Sequence, residues 1–243
     1  LLIETSYAYG GGYQQSAESP TINAREDFNE PTSLEWVNEF SQAHFNVANT
    51  GSPAFSLTYN SSGTPLDSVD TWAWVSQTTT ITNDTNEDMH LSFDLLIGAG
   101  SLISSTANLY FHNGFLMSTL GISLSQGNQN LFESVESMRD NGTSGHSFEP
   151  NRDADTQEAY PTLGDFDISG DAYESNNPKT VNYHWDDIYK TFDLGTLRAG
   201  ESMSLEYSLY ANVFAYFGWD ECMEYNSSTC IRSASINFYD ASA

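Results

Sequence analysis

The sequence predicts an all-β protein, a two-sheet antiparallel sandwich of jelly-roll or immunoglobulin-like type. Three observations carry that expectation. Apolar residues recur at every second position in many short segments, the mark of strands with one buried and one solvated face. Aromatic residues make up 14% of the chain, and their rings suit a pleated, half-buried surface better than a helix. Polar turn clusters separate the segments, with no alternation of strand-like and helix-like stretches.

The elements follow in chain order. In LLIETSYAYGGGYQQ, Leu1, Ile3, Thr5 and Tyr7 share one face of a strand, and Gly10, Gly11 and Gly12 are expected to break it. Such a strand has two readings. Residues 1–9 form the first strand of their own sheet, with the glycines at a bulge or turn. Alternatively, the glycines act as a hinge and the arm is donated to a neighbouring copy, which, repeated without closure, builds a filament. Phe55, Leu57 and Tyr59 alternate with Ser56, Thr58 and Asn60. DTWAWVS places Trp72 and Trp74 on one face of a strand. TITNDTNEDMHLSF reads as a hairpin turning between Asn83 and Asp88, with Met89, Leu91, Phe93 and Leu95 on one face of its second strand.

One helix is expected, near 130–138. In NQNLFESVESM, Leu131, Val135 and Met138 fall at i, i+4 and i+7, and Asn130 with Glu133 resembles a capping box. From about 140 to 179 the chain is polar and acidic, a long loop of the kind that carries ligands or ions. FDLGTLRAGESMSLEY reads as a second hairpin turning at Arg198–Glu201, with Met203, Leu205, Tyr207 and Leu209 on one face. Ala234, Ile236 and Phe238 close the pattern. No linker or repeat divides the chain, so residues 1–243 are read as one domain.

Charge narrows the function. The chain holds 33 Asp and Glu against 7 Lys and Arg, a formal net charge of −26. That excludes nucleic acid as a partner, since phosphate binding needs clustered Lys and Arg, and argues against anionic membrane surfaces. It suits salty water or divalent cations, which screen self-repulsion. No run approaches the ~20 apolar residues of a transmembrane helix. The chain begins at Leu1 without a Met, which fits a processed secreted chain or a trimmed one. Cys222 and Cys230, in CMEYNSSTC, suit a disulfide closing a short loop and thus an oxidising compartment.

Candidate sites are few. NRDAD (Asp153, Asp155) and GDFDISGD (Asp165, Asp167, Asp171) offer carboxylates at alternate positions near a glycine, a pattern calcium accepts. An EF-hand's terminal Glu is missing, and the competing reading is a solvated acidic loop. HWDD (His184 to Asp187) lacks the partners of a transition-metal site. GISLSQG comes near a nucleophile elbow but sits in a strand. No nucleotide-binding glycine motif occurs, so the chain is read as a non-enzyme. Trp72, Trp74 and Trp219 are candidates for stacking on sugar rings, the competing reading being that they are core. Asn60, Asn83, Asn141 and Asn226 begin N-x-[ST] triplets in expected turns, where a glycan is tolerated.

Two segments resemble a family. DLGTLRAGESMSLEYSLYANV with SASINFYDASA is similar to the closing part of exosortase-sorted (PEP-CTERM-type) secreted bacterial proteins, and WAWVSQTTTITNDTNEDMHLSFDLLIGAG to their central hairpin. Together they cover about a quarter of the chain. No Pro-Glu-Pro motif, hydrophobic anchor or basic end follows in this sequence. The resemblance implies a secreted surface or matrix β-sandwich and transfers no catalytic residues. The leading expectation is an extracellular structural protein, assembled with copies of itself through residues 1–9, with calcium as the candidate ion. The alternative is a carbohydrate-binding module with a polysaccharide partner, and the third reading is a glycoside hydrolase.

Overall fold

The computed structural model describes residues 1–15, 22–28, 33–37, 41–47, 53–62, 68–107, 115–140, 146–150, 165–169, 179–216 and 231–238. They form antiparallel strands joined by turns, and among them there is no helix. The strands are β1 (Leu2–Gln15), β2 (Ile22–Phe28), β3 (Ser33–Val37), β4 (Ser41–Val47), β5 (Pro53–Ser62) and β6 (Ser68–Thr82). There follow β7 (Met89–Ile97), β8 (Gly100–Ala107), β9 (Phe115–Gln126), β10 (Gln129–Asp140) and β11 (His146–Pro150). The last are β12 (Asp165–Ser169), β13 (Lys179–Trp185), β14 (Ile188–Leu197), β15 (Ser202–Tyr216) and β16 (Ile231–Phe238).

Two seven-stranded sheets pack face to face. The first has the order β11-β10-β9-β15-β6-β1-β2 and the second β12-β13-β8-β16-β5-β4-β3. A separate two-stranded ribbon pairs β14 with β7. Contacts between β5 and β6 and between β8 and β9 join the sheets.

The pairing explains the topology. β8 pairs with β13, β7 with β14, β6 with β15 and β5 with β16. Two halves of one long antiparallel ribbon are thus wound so that successive rungs fall in the second sheet, the separate ribbon, the first sheet and the second again. Pairing of β9 with β15 and of β8 with β16 closes the winding. The result is a two-sheet antiparallel sandwich, as the sequence predicts.

The core follows the alternation. Val69, Thr71, Ala73 and Val75 of β6 point inward beside Leu205, Leu209, Ala211 and Val213 of β15 and Leu116, Leu120, Ile122 and Leu124 of β9. Each fully buried Leu, Ile or Val contributes about 1.5–3 kcal/mol relative to an exposed one. Tyr183 and Trp185 of β13 and Leu102 of β8 supply the facing layer, with the Trp185 indole N–H donating to the Gly98 carbonyl at 2.9 Å.

Four expectations are corrected. The helix near 130–138 is strand β10, antiparallel to β9. Its inward residues are Phe132, Ser134, Glu136 and Met138, all buried. Ser134 and Glu136 break the apolar alternation, and the Ser134 hydroxyl donates to Glu136 Oε1 at 3.0 Å. With polar residues at two inward positions, the i, i+4, i+7 spacing of Leu131, Val135 and Met138 imitates a helix. Asn130 Nδ2 does meet Glu133 Oε2, at 2.8 Å, but beside a bulge rather than a helix cap.

Gly10, Gly11 and Gly12 do not break β1. The strand runs through them, pairing with β6 from Leu2 to Gln15 and with β2 from Tyr7 to Tyr13. Residues 1–9 therefore lie in their own sheet, and the glycines are interior ladder positions rather than a hinge. The two expected hairpins are likewise turns without hairpin pairing. β6 pairs with β1 and β15 and β7 with β14, so each turn carries the chain out of the first sheet or back into it. The long acidic loop also contains β11 and β12, each on a sheet edge.

Candidate functional site

The outer face of the first sheet carries a group of aromatic residues that the core does not use. On β6 the even-numbered residues Asp70, Trp72 and Trp74 point away from the buried Val69, Thr71, Ala73 and Val75, and both tryptophans are half-buried. The strand spacing sets their Cα atoms about 6.7 Å apart along β6. Register then builds two rows across the sheet. Gly10 of β1, Trp74 of β6, Tyr210 of β15 and Gly121 of β9 form one. Gly12, Trp72, Asn212 and Thr119 form the next.

The glycines give this surface its shape. Gly10 and Gly12 are buried although they carry no side chain, which requires neighbouring side chains over their backbone. The register places Trp74 and Trp72 directly beside them. On the far side, a Cβ at Gly121 meets Tyr210 Cδ1 and Val135 Cγ2 at 3.8 Å each. Gly121 thus leaves room beside the Tyr210 ring. The lowered strip thus lies on the β9 side of Tyr210, at Gly121.

Polar groups flank the rings. Asn212 Nδ2 donates to Asp70 Oδ1 and, at 3.3 Å, to the Thr71 carbonyl. The Thr71 hydroxyl in turn donates to the Gly12 carbonyl at 3.4 Å, tying β6 to β1 beneath the rings. Burial pushes the Asp70 carboxyl above its ordinary value, and the Asn212 hydrogen bond opposes that shift. Tyr210 keeps 42% of its surface exposed. Its phenol is nevertheless pushed up to about 12, first by partial removal from water and then by the charge of Asp70. The group therefore stays protonated through the physiological range.

A second feature is the clasp where the β6–β7 turn meets the β14–β15 turn. Asn83 is fully buried. Its Nδ2 donates to the carbonyls of Glu87 at 2.8 Å and Leu197 at 3.0 Å. Its Oδ1 accepts from the Thr85 hydroxyl at 2.6 Å and the Thr85 amide at 3.1 Å. Backbone bonds from Asn83 N to Glu201 O and from Gly200 N to Asn83 O lock the turns together. A glycan on this amide is incompatible with the clasp, which corrects the expectation of a tolerated site at Asn83.

The remaining sequence candidates divide as follows. Asp165 and Asp167 lie in β12, paired opposite His184 and Asn182, so they sit on a strand and not in a turn. Asp153, Asp155, Asp171, Trp219, Cys222 and Cys230 lie outside the described residues, as do Asn141 and Asn226. Asn60 falls in β5. In HWDD, Trp185 is core and Asp187 accepts the Ala99 amide at 2.8 Å. Among the described residues no group of three or more His, Cys, Asp or Glu could hold a metal. Nor is any helix there long and apolar enough to cross a membrane.

Tyr210, Asn212, Asp70 and Gly121 are the parts of this surface that sequence reasoning missed. Trp72 and Trp74 announce themselves by spacing, but Tyr210 and Asn212 reach them from a strand more than a hundred residues away in the chain. No family model matches the sequence, and no curated protein matches it.

Proposed function

We propose that this chain is a carbohydrate-binding β-sandwich domain of an extracellular protein, with its glycan platform on the outer face of the first sheet. One observation carries the reading. Trp72 and Trp74 point away from the core from a central strand, beside the exposed Tyr210. A pyranose ring has an apolar C–H face that stacks on a flat aromatic ring, while its hydroxyls seek polar groups around the edge. Rings with a polar rim are the arrangement expected of a ligand site. Trp72→Ala is expected to weaken polysaccharide binding at least tenfold with the melting temperature retained, measured by affinity electrophoresis and a glycan array. A folded protein silent on every glycan counts against the reading, and release of shortened sugars points instead to a hydrolase.

A separate observation favours a second reading, self-assembly at the cell surface. β2 pairs with β1 only from Tyr7 onward, so among the described residues no strand covers the other edge of Leu2–Ser6. Leu1, Leu2 and Ile3 are exposed there, Ile3 by 58%. Strand addition from another copy would use that edge without removing β1 from its sheet. Calcium in the medium would screen the −26 charge that opposes association. Sedimentation with and without calcium tests this, and Ile3→Lys is expected to abolish any assembly.

A further inference from the structure

Resting on the platform reading, we infer that the site selects uncharged, hydroxyl-rich polysaccharides and rejects sulfated and uronate-bearing ones, with Asp70 as the specificity-determining residue. Asp70 lies two positions before Trp72 on the same face of β6, so it stands at the end of the aromatic row. Asn212 fixes it: one carboxamide nitrogen serves both Asp70 Oδ1 and the Thr71 carbonyl. That commits the donors of Asn212 to the protein. Among the described residues, no hydrogen bond reaches the second Asp70 oxygen or the Asn212 carbonyl oxygen.

The rim therefore presents acceptors, with the Tyr210 hydroxyl as its adaptable member. Sugar hydroxyls can donate to all of these. A sulfate or a carboxylate offers only further acceptors and a negative charge, and would meet the partly buried Asp70 carboxylate, while the cations of this sheet, Arg25 of β2 and Arg139 of β10, lie two and three strands from β6 by register. Like charges juxtaposed at a binding surface act against the wrong ligand rather than for the right one. The net charge of −26 repels polyanions as well, but this long-range part is screened within about 3 Å at 1 M salt. A contact at Asp70 is not screened in the same way, and that difference separates the two effects.

The experiment titrates a neutral β-glucan and alginate against the wild type, Asp70→Asn and Trp72→Ala, at low salt and at 1 M salt. Asn at position 70 can still accept from Asn212, so the fold is expected to hold, with the melting temperature as control. The expected result is β-glucan binding indifferent to salt, alginate rejected at both salt concentrations, and β-glucan affinity about tenfold lower in Asp70→Asn, the scale of one lost charge-assisted hydrogen bond. Alginate bound by the wild type at 1 M salt as tightly as β-glucan overturns the inference. So does Asp70→Asn binding β-glucan unchanged while Trp72→Ala loses it, a result that leaves the platform standing. Binding of neither polymer overturns both.

Discussion

Replacing Asn83 with Ala removes a single small side chain and, on the structure, unfastens two turns at once. The amide makes four hydrogen bonds, two donated to the carbonyls of Glu87 and Leu197 and two accepted from Thr85. At about 0.5–1.5 kcal/mol each the loss is about 2–6 kcal/mol. Only the bond to Leu197 is fully buried, so the lower half of that range applies, about 3 kcal/mol. In a domain of this size each kcal/mol lowers the melting temperature by about 2–4 °C, which gives a fall of about 6–12 °C. Calorimetry of Asn83→Ala beside Thr85→Ala checks the reasoning, the latter losing the hydroxyl contacts alone and falling by less. An Asn83→Ala protein that melts within about 2 °C of the wild type refutes the clasp as a stabilising device. The same geometry predicts that folded protein secreted from a glycosylating host carries no glycan at Asn83, by peptide mass mapping.

Further outcomes follow from the same side chains. Ultraviolet titration of the wild type against Tyr210→Phe should reveal one phenol ionising near 12 rather than at the ordinary 10.0. Stability linked to that group is complete below pH 10.0 and is lost as pH rises through about 12, because the unfolded phenol ionises first. Asp70→Asn should lower the midpoint without returning it to 10.0, since partial burial is the larger cause. Gly121→Ala should stabilise by about 0.4–1 kcal/mol in urea, as its Cβ finds ordinary contact distances. Gly200→Ala should destabilise by about 1–2 kcal/mol, because its φ of 77° is left-handed. Thiol labelling of denatured, unreduced protein is expected to find no free thiol, with Cys222 and Cys230 paired as their spacing suggests.

How much of this was legible beforehand depended on whether a signal was local. The inward residues Leu205, Tyr207 and Leu209 of β15 could be assigned from alternation alone. β10 could not, because Ser134 and Glu136 occupy inward positions and erase the apolar period that identifies a strand. The turn after Thr82 was visible in its Asn and Asp residues. Its partner was not, because β7 joins β14 across more than ninety residues, and a turn cluster says only that the chain bends.

Trp72 and Trp74 could be placed on one face from their spacing, but which face required knowing that Val69, Thr71, Ala73 and Val75 were the ones buried. Gly10 to Gly12 read locally as a break, since glycine alone weakens a strand. Paired with β6 and β2, they are interior instead.

The amino-acid order by itself determined that the chain is built mainly of strands, which residues share a face where the apolar alternation is unbroken, and that the chain is strongly acidic. These properties need only neighbours within a few residues. The tertiary structure alone decided which strands pair, hence the make-up of the two sheets, the union of Asp70 with Asn212 and Tyr210, and the burial of Asn83. Antiparallel pairing has the same local chemistry whichever strand arrives. The choice among partners is made by the packing of the whole core, which no single segment contains.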